Sequence, residues 1–379
     1  MKTPPITPLI VLAAGGTAGH VFPAQALAAE LERRGCRLAL ITDHRGDTMG
    51  RGFGGLQLFR ISAGGIAGKG FGARLKSLLA LMAGTIQAWF ILKRIKPNVV
   101  VGFGGYASVP GMLAAKYASA RTALHEQNAV LGRANRLLAS RVNAIATSFE
   151  KVSAVPDDVS LIIRTGMPVR PAVTELRATP YPERGRGEPI CILVFGGSQG
   201  ASVFSNVVPE AISRLEEDLR RRLVIVQQCR PEDLSAARTT YGRIGVAAEL
   251  AVFFDDLPAR MAAAHLIICR SGASTVAEAT TIGRPSIMVP YPHAVDDHQT
   301  ANAYAVDAAG AGWLLPEETF TADALVGRLT SLLTIPRILE NAATAAKSFG
   351  RPDAADLLAD MVLGLLTSEV AAKSLEETP

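Results

Sequence analysis

Twice along this chain an apolar strand runs into a glycine-rich turn and then a helix. Leu9 to Ala13 leads into Gly15-Gly16-Thr17-Ala18-Gly19-His20 and a segment rich in Ala and Leu, and Ile190 to Phe195 leads into Gly196-Gly197-Ser198-Gln199-Gly200-Ala201. Glycine lets a backbone approach a ligand closely, and the unsatisfied N–H groups at a helix start attract anions. A chain that makes this turn twice is expected to fold as two nucleotide-type α/β halves, facing each other across a cleft between two substrates.

At 379 residues the chain exceeds a typical single core, in keeping with two domains. Hydrophobic residues make up 49% and charged residues 19%, the balance of a globular protein. Lys and Arg number 39 against 34 Asp and Glu; the net charge of +5 favours anionic partners without choosing among nucleotide phosphates, nucleic acid and acidic lipid. Cys36, Cys191, Cys229 and Cys269 form no Cys-x-x-Cys pair, which points to reduced, buried thiols and away from a zinc site or disulfide framework. Pro4, Pro5 and Pro8 interrupt the N-terminus, whose apolar stretch reads as the first strand rather than a secretion signal. No uninterrupted apolar run reaches the roughly 18 residues expected of a spanning helix. Any meeting with a membrane is therefore expected from its cytoplasmic side.

In the first half, apolar strands are expected at Leu9 to Ala13, Leu38 to Thr42, Val99 to Gly102, Thr122 to Leu124 and Asn143 to Ala146, with amphipathic stretches between several of them. In the second half they are expected at Ile190 to Phe195, Leu223 to Gln227, Leu266 to Cys269 and Ser286 to Val289. Such alternation argues for parallel sheets covered by helices. The Pro, Arg and Glu-rich segment from Arg170 to Pro189 reads as the connection between domains. The expected domains are 1–168 and 169–352, with a final helical segment in 353–368 able to pack back onto the first.

Between Gly64 and Lys96, the residues Leu75, Leu78, Leu79, Met82, Ile86 and Trp89 fall at helical spacing on one stripe, bordered by Lys69, Arg74, Lys76, Lys93 and Arg94. A helix lying in an anionic membrane surface requires such a stripe, and an ordinary core-facing helix with solvated ends is the other reading.

A dinucleotide enzyme is one reading of the first turn, with Asp43 ending the second strand where a ribose-binding acid sits. Yet neither turn spells Gly-x-Gly-x-x-Gly, and no Gly-Lys-Ser/Thr follows either to make a P-loop. A tight connection needing only small residues stays open for each. The segment Cys269-Arg270-Ser271-Gly272-Ala273-Ser274-Thr275-Val276-Ala277-Glu278 is sharper, because a strand ends in a small-residue loop that opens a helix. Its amides and hydroxyls can hold a diphosphate, and Glu278 can accept hydrogen bonds from a ribose diol or serve as a surface or capping carboxylate. Pro290-Tyr291-Pro292-His293 and Asp297-His298-Gln299-Thr300-Ala301-Asn302 add a polar cluster after another strand, where open α/β sheets bind ligands.

Gly15 to Pro23, Gly104-Gly105-Tyr106-Ala107-Ser108, His125-Glu126-Gln127-Asn128, Gly196 to Ala201 and Arg270 to Glu278 together closely resemble the MurG family, within glycosyltransferase family 28. The motifs come in the family's order and cover nearly the whole chain. The resemblance implies an α/β GT-B fold of two Rossmann-like domains, the first for acceptor and membrane, the second for UDP-sugar. It also implies transfer of N-acetylglucosamine from UDP-N-acetylglucosamine to undecaprenyl-pyrophosphoryl-N-acetylmuramoyl-pentapeptide (lipid I), giving lipid II for peptidoglycan. The implied location is peripheral, on the cytoplasmic face of the inner membrane with its anionic surface, with no nucleic-acid partner and no cofactor.

Residue by residue, the resemblance assigns the donor to Thr17, Ala18, Gly19, Asn128, Arg170, Ser198, Gln199, Gly200, Ser271, Gly272, Ala273, Ser274, Thr275, Glu278 and Gln299. Among these, Ser198, Gln199 and Arg170 fall to the diphosphate, Glu278 to the ribose, and Asn128 and Gln299 to the transferred sugar. Gly104, Gly105 and Tyr106 fall to the acceptor, and Lys69, Leu75, Leu79, Met82 and Trp89 to acceptor or membrane. Three positions depart from the family pattern: Ala18 replaces a glycine, Met167 an asparagine, and His298 a frequent glutamine.

Displacing UDP by a hydroxyl with inversion needs a base on the acceptor oxygen and positive character at the leaving diphosphate. Helix N-termini, loop amides and Arg170 can supply the second without a required metal, and the chain has no Asp-x-Asp motif to hold one. His20 is the first candidate base, with helix capping or phosphate binding as its other reading. His125 with Glu126 is the second, with structural support of the acceptor loop as the alternative. Competing functions are another GT-B transferase acting on a lipid such as diacylglycerol, a UDP-sugar epimerase sharing the donor site, and a non-catalytic nucleotide-binding scaffold at the membrane surface.

Overall fold

The computed structural model describes residues 7–16, 18–43, 53, 55–64, 71–159, 161–183, 185, 187–197, 200–335 and 337–367. The chain divides into two compact units, Met1–Arg170 with Asp353–Pro379, and Pro171–Pro352.

Among the described residues, the first unit is built on seven parallel strands: β1 (Leu9–Ala13), β2 (Arg37–Thr42), β3 (Gln57–Arg60), β4 (Val99–Gly102), β5 (Arg121–Glu126), β6 (Ala144–Thr147) and β7 (Ile162–Arg164). Their order in the sheet is β3-β2-β1-β4-β5-β6-β7. Its helices are α1 (Ala18–Arg33), α2 (Phe71–Ile95), α3 (Val109–Lys116) and α4 (Arg133–Leu138). The second unit contains α5 (Pro171–Leu176), β8 (Ile190–Phe195), α6 (Ser202–Ser213), α7 (Glu217–Arg220), β9 (Leu223–Gln228), α8 (Leu234–Arg243), β10 (Ala247–Ala251), α9 (Leu257–Ala263), β11 (Leu266–Cys269), α10 (Ala273–Ile282), β12 (Ser286–Met288), α11 (His298–Ala308), β13 (Gly312–Leu314), α12 (Ala322–Thr334) and α13 (Ile338–Phe349). Its parallel sheet runs β10-β9-β8-β11-β12-β13. A last helix, α14 (Ala354–Gly364), belongs to the first unit.

Each sheet is a doubly wound Rossmann-type arrangement, because strand order reverses beside its first strand. The reversal lies between β1 and β4 in the first and between β8 and β11 in the second. All five residues of β1 are buried, since helices cover both faces of such a sheet. Ile10 and Leu12 pack towards Leu27 and Leu31 of α1 and Leu358 and Val362 of α14. Val11 and Ala13, on the opposite face, join Ala88 and Leu92 of α2 and Met112 of α3. In the second unit Ile190, Ile192 and Val194 pack with Phe204, Val208, Leu325 and Leu329.

The four strands that the apolar runs did not announce, β3, β7, β10 and β13, are the edge strands of the two sheets. Edge strands bury less and need no continuous apolar run, and Ala247, Ala248 and Glu249 of β10 are exposed. The Arg170 to Pro189 segment is more ordered than a plain connection. It carries α5, and Arg177 donates to the Thr281 and Lys347 carbonyls, while Arg284 donates to that of Pro180.

Candidate active site

The reversal between β1 and β4 opens a crevice at the carboxyl ends of those strands, where open α/β sheets bind ligands. The Gly15-Gly16 turn leaves β1 there and Gly104-Gly105 leaves β4. His20 lies in the first turn of α1 rather than on the preceding loop, and its ring sits against Gly105. Gly105 has φ +69°, and a Cβ there would stand 3.1 Å from His20 Cδ2 and 3.3 Å from Nε2. Glycine thus answers both the left-handed backbone and the room His20 needs. Gly19, His20 and Tyr106 are half-buried, neither sealed in the core nor fully exposed.

His125 and Glu126, at the end of β5, are placed differently from an acid–base pair. His125 is fully buried; its Nδ1 accepts from the Gln127 amide at 3.1 Å, so its Nε2 donates to the Gly166 carbonyl at 3.0 Å. Burial lowers its pKa to about 4, outweighing the hydrogen bond to Gly166, which pushes the other way, so the imidazole is neutral. Glu126 Oε1 accepts from the backbone and side-chain nitrogens of Asn128, at 2.9 and 3.3 Å. Its Oε2 accepts from Gly132 N at 2.9 Å and Asn135 Nδ2 at 2.8 Å. Both side chains are therefore spent on supporting the loop that carries Asn128, the alternative reading of this pair. Gln127 and Asn135, which sequence reasoning did not single out, complete that support: Gln127 Nε2 also donates to the Phe103 carbonyl at 2.9 Å. The guanidinium of Arg170 lies over the Phe22 ring, 5.4 Å from its centroid, and Met167 is buried as a core residue.

In the second unit Gly196-Gly197 leaves β8 and the Arg270-Ser271-Gly272 loop leaves β11, again at the reversal. A Cβ on Gly196 would stand 2.5 Å from Ala201 N, so only glycine lets the turn fold back so tightly. Gly200 and Ala201 then lead into α6. Helix α10 is entered through Gly272, with no side-chain cap, so the amides of Ala273, Ser274 and Thr275 open the helix as an anion-attracting end. Glu278 follows on the second turn and is buried. Ser271 corrects the expectation that its hydroxyl faces a ligand: the residue is fully buried, and its Oγ donates to the Gln299 carbonyl at 2.8 Å. Gln299 Oε1 accepts from Tyr291 N at 2.9 Å, and His298 Nδ1 lies 2.8 Å from the Val295 carbonyl. Thr17, Lys69, Ser198 and Gln199 lie outside the described residues, as does the Ala18 side chain.

Residues 10–147 match the glycosyltransferase family 28 N-terminal domain and residues 191–358 its C-terminal domain. The chain belongs to glycosyltransferase family 28.

Within that family it is similar to the UDP-N-acetylglucosamine--N-acetylmuramyl-(pentapeptide) pyrophosphoryl-undecaprenol N-acetylglucosamine transferase of Paramagnetospirillum magneticum, 58% identical over 96% of this chain and 99% of that protein. The enzyme of the same description from Rhodospirillum centenum is 55% identical over 94% of each. Among solved structures, Acinetobacter baumannii MurG aligns with a TM-score of 0.77 and 29% identity, over 94% of this chain and 99% of that one. A UDP-GlcNAc 2-epimerase from Neisseria meningitidis, at 17% identity and a TM-score of 0.65 over 94% of this chain and 100% of that one, shares the fold alone. The two Rossmann-type units are those of the GT-B fold, and family 28 membership removes the dinucleotide-enzyme reading of the first turn.

Helix α2 of this family 28 chain presents two apolar faces. Gly84, Ala88 and Leu92 are buried, whereas Leu75, Leu78, Leu79, Met82, Ile86 and Phe90 are 48–62% exposed. Trp89, expected on the exposed stripe, is instead half-buried against the core, and Phe90 takes its place. Leu75–Ile95 is long and apolar enough to cross a membrane by length and composition, although Lys76, Lys93 and Arg94 interrupt it, so the expectation of no uninterrupted apolar run of that length holds. Lys93 Nζ lies 5.6 Å from the Trp89 ring centroid, and Lys76 and Arg94 are exposed. All four cysteines are free, and burial pushes the Cys269 thiol up to about 12.

Proposed function

We propose that this chain transfers N-acetylglucosamine from UDP-N-acetylglucosamine to the C4 hydroxyl of the muramoyl sugar in undecaprenyl-pyrophosphoryl-MurNAc-pentapeptide, with inversion, forming lipid II. The observation that carries the reading is the near full-length match to enzymes described by that reaction, at up to 58% identity among those compared. The geometry agrees with it, since the motifs after β1, β4, β8 and β11 sit at the strand-order reversals of their sheets and the His125 to Asn128 motif ends β5, beside β4.

In this reading the second unit takes the donor. The turn after β8, with Ser198, Gln199 and Gly200, and the opening of α10 hold the diphosphate, and Arg170 adds positive charge to the leaving group. Glu278 takes the ribose diol. Gln299 meets the sugar through Nε2, because Oε1 already accepts from Tyr291 N, and Asn128 meets it from the loop held by Glu126. The first unit takes the acceptor, with Gly104, Gly105 and Tyr106 beside it and His20 as the base that receives the hydroxyl proton. His20 suits the role better than His125, whose ring nitrogens are both engaged inside the core.

The exposed stripe of α2 rests on an anionic membrane surface, placing the enzyme peripherally on the cytoplasmic face of the inner membrane. Its opposite face is committed to the core, which favours a helix lying in the surface over one crossing it. The test is transfer of labelled N-acetylglucosamine to a lipid I analogue, with a diacylglycerol acceptor run beside it. A β-1,4-linked product on the lipid I analogue alone is expected; product on diacylglycerol instead points to the competing lipid transferase.

A further inference from the structure

Asn302 lies one turn beyond Gln299 on α11 and has no solvent exposure. Its Nδ2 donates to the Ser271 carbonyl at 3.0 Å, while the Ser271 hydroxyl donates to the Gln299 carbonyl at 2.8 Å. Ser271 is thus gripped from both sides by the same face of α11, since residues three apart on a helix are neighbours. It also stands two residues after β11 and immediately before Gly272, the entry to α10. The grip extends sideways: Gln299 Oε1 accepts from Tyr291 N, and Arg270 Nη1 donates to the Val289 and Pro290 carbonyls at 3.1 and 3.0 Å. The loop after β11, the loop after β12 and the start of α11 form one hydrogen-bonded block.

We propose that Asn302 is a positioning residue for donor recognition, which locks the Ser271–Gly272 turn to the helix carrying Gln299 and so sets the spacing between the diphosphate-binding helix start and the sugar-reading amide. The inference rests on the reading of the second unit as the UDP-N-acetylglucosamine site. Asn302 cannot touch the donor, because it is wholly buried. Its loss leaves a buried carbonyl without that donor, and the loop must shift to recover a partner. A displacement of a fraction of an ångström between two binding elements weakens the sugar contacts, the part of the site that tells one epimer from another.

The test compares wild type with Asn302→Asp, which keeps the shape but turns a carboxylate towards the Ser271 carbonyl, and with Ser271→Ala, which removes the bond to the Gln299 carbonyl without placing a charge in the core. Kinetics are measured with UDP-N-acetylglucosamine and its C4 epimer UDP-N-acetylgalactosamine, alongside thermal unfolding. We expect Asn302→Asp to raise KM for the donor roughly tenfold with kcat within about threefold of wild type, and to narrow the preference between epimers. Ser271→Ala changes both quantities in the same direction by less, and carries the test if Asn302→Asp does not fold. Folded variants with wild-type KM and epimer preference, or with a loss confined to kcat, overturn the proposal. Wild-type protein with no turnover of UDP-N-acetylglucosamine defeats the donor reading and this inference together, whereas wild-type turnover with unaltered variants defeats the inference alone.

Discussion

His125 Nε2 donates a 3.0 Å hydrogen bond to the carbonyl oxygen of Gly166, tying the end of β5 to the segment that leads to Arg170. The neutral ring is required by the other contact, because the Gln127 amide donates to Nδ1 and that nitrogen can carry no proton of its own. Protonating Nδ1 as well would set two donors against each other inside the buried core.

That relationship gives stability a defined pH window. A free imidazole titrates near 6.5, whereas folded His125 refuses its proton until about 4, chiefly through burial. Between those values the unfolded chain binds the proton and the folded chain does not. The stabilising contribution is therefore complete above pH 6.5 and is lost as pH falls towards 4, by about 3 kcal/mol. Urea unfolding of wild type and His125→Gln across pH 7 to 4.5 checks this. The variant should start less stable and show a flatter acid limb, and identical acid limbs would defeat the assignment.

His20 is the group expected to limit turnover. Replacing it by Ala should lower kcat roughly a hundredfold or more, the range of a lost general base, while UDP still protects the protein against thermal unfolding. Unchanged kcat would end its candidacy.

Glu126 is expected to behave as a support. Glu126→Gln places an amide NH2 among donors from Asn128, Gly132 and Asn135 and should cost about 1–3 kcal/mol of stability. The shape of the pH–rate profile should be unaffected. A profile that loses one limb at unchanged stability would instead make Glu126 an acid–base group.

On α2, Leu79→Gln combined with Phe90→Gln should weaken binding to anionic vesicles roughly tenfold or more, given about 1.5 kcal/mol or more for each large apolar side chain buried. Vesicle flotation reads the first effect, and UDP binding should be unchanged. Equal flotation of variant and wild type would return the stripe to the status of exposed surface.

The α1–α14 contact separates packing from charge. Leu358 is fully buried, and Leu358→Ala should destabilise the first unit by about 2–5 kcal/mol. Asp360 pairs with Arg34 at the surface, and Asp360→Asn should cost about 1 kcal/mol or less. Chemical denaturation distinguishes the two, and a larger effect of the exposed charge would contradict the packing argument.

Much of the architecture was legible because the central strands of a doubly wound sheet are buried on both faces and read as continuous apolar runs. The nine strands expected from such runs are all present, with ends shifted by up to two residues. The edges β3, β7, β10 and β13 escaped because one side of each lacks a neighbour. The C-terminal helix could be expected as a helix, but its packing with α1 depends on a contact between residues more than 300 positions apart.

The candidate site divides in the same way. The sequence by itself determined the two glycine turns, their strands and the family, because those signals are local: a left-handed φ or a tight backbone approach admits glycine, and a helix start exposes its amides. Tertiary structure decided which polar side chains of the motifs face outward. It turned His125, Glu126 and Ser271 inward, recruited Gln127, Asn135 and Asn302 as their partners, and exchanged Trp89 for Phe90 on the exposed stripe. The physical reason is that a buried polar group must find its hydrogen-bond partner wherever the fold supplies one. For His125 that partner is 41 residues away and for Asn302 it is 31, beyond the reach of any local pattern.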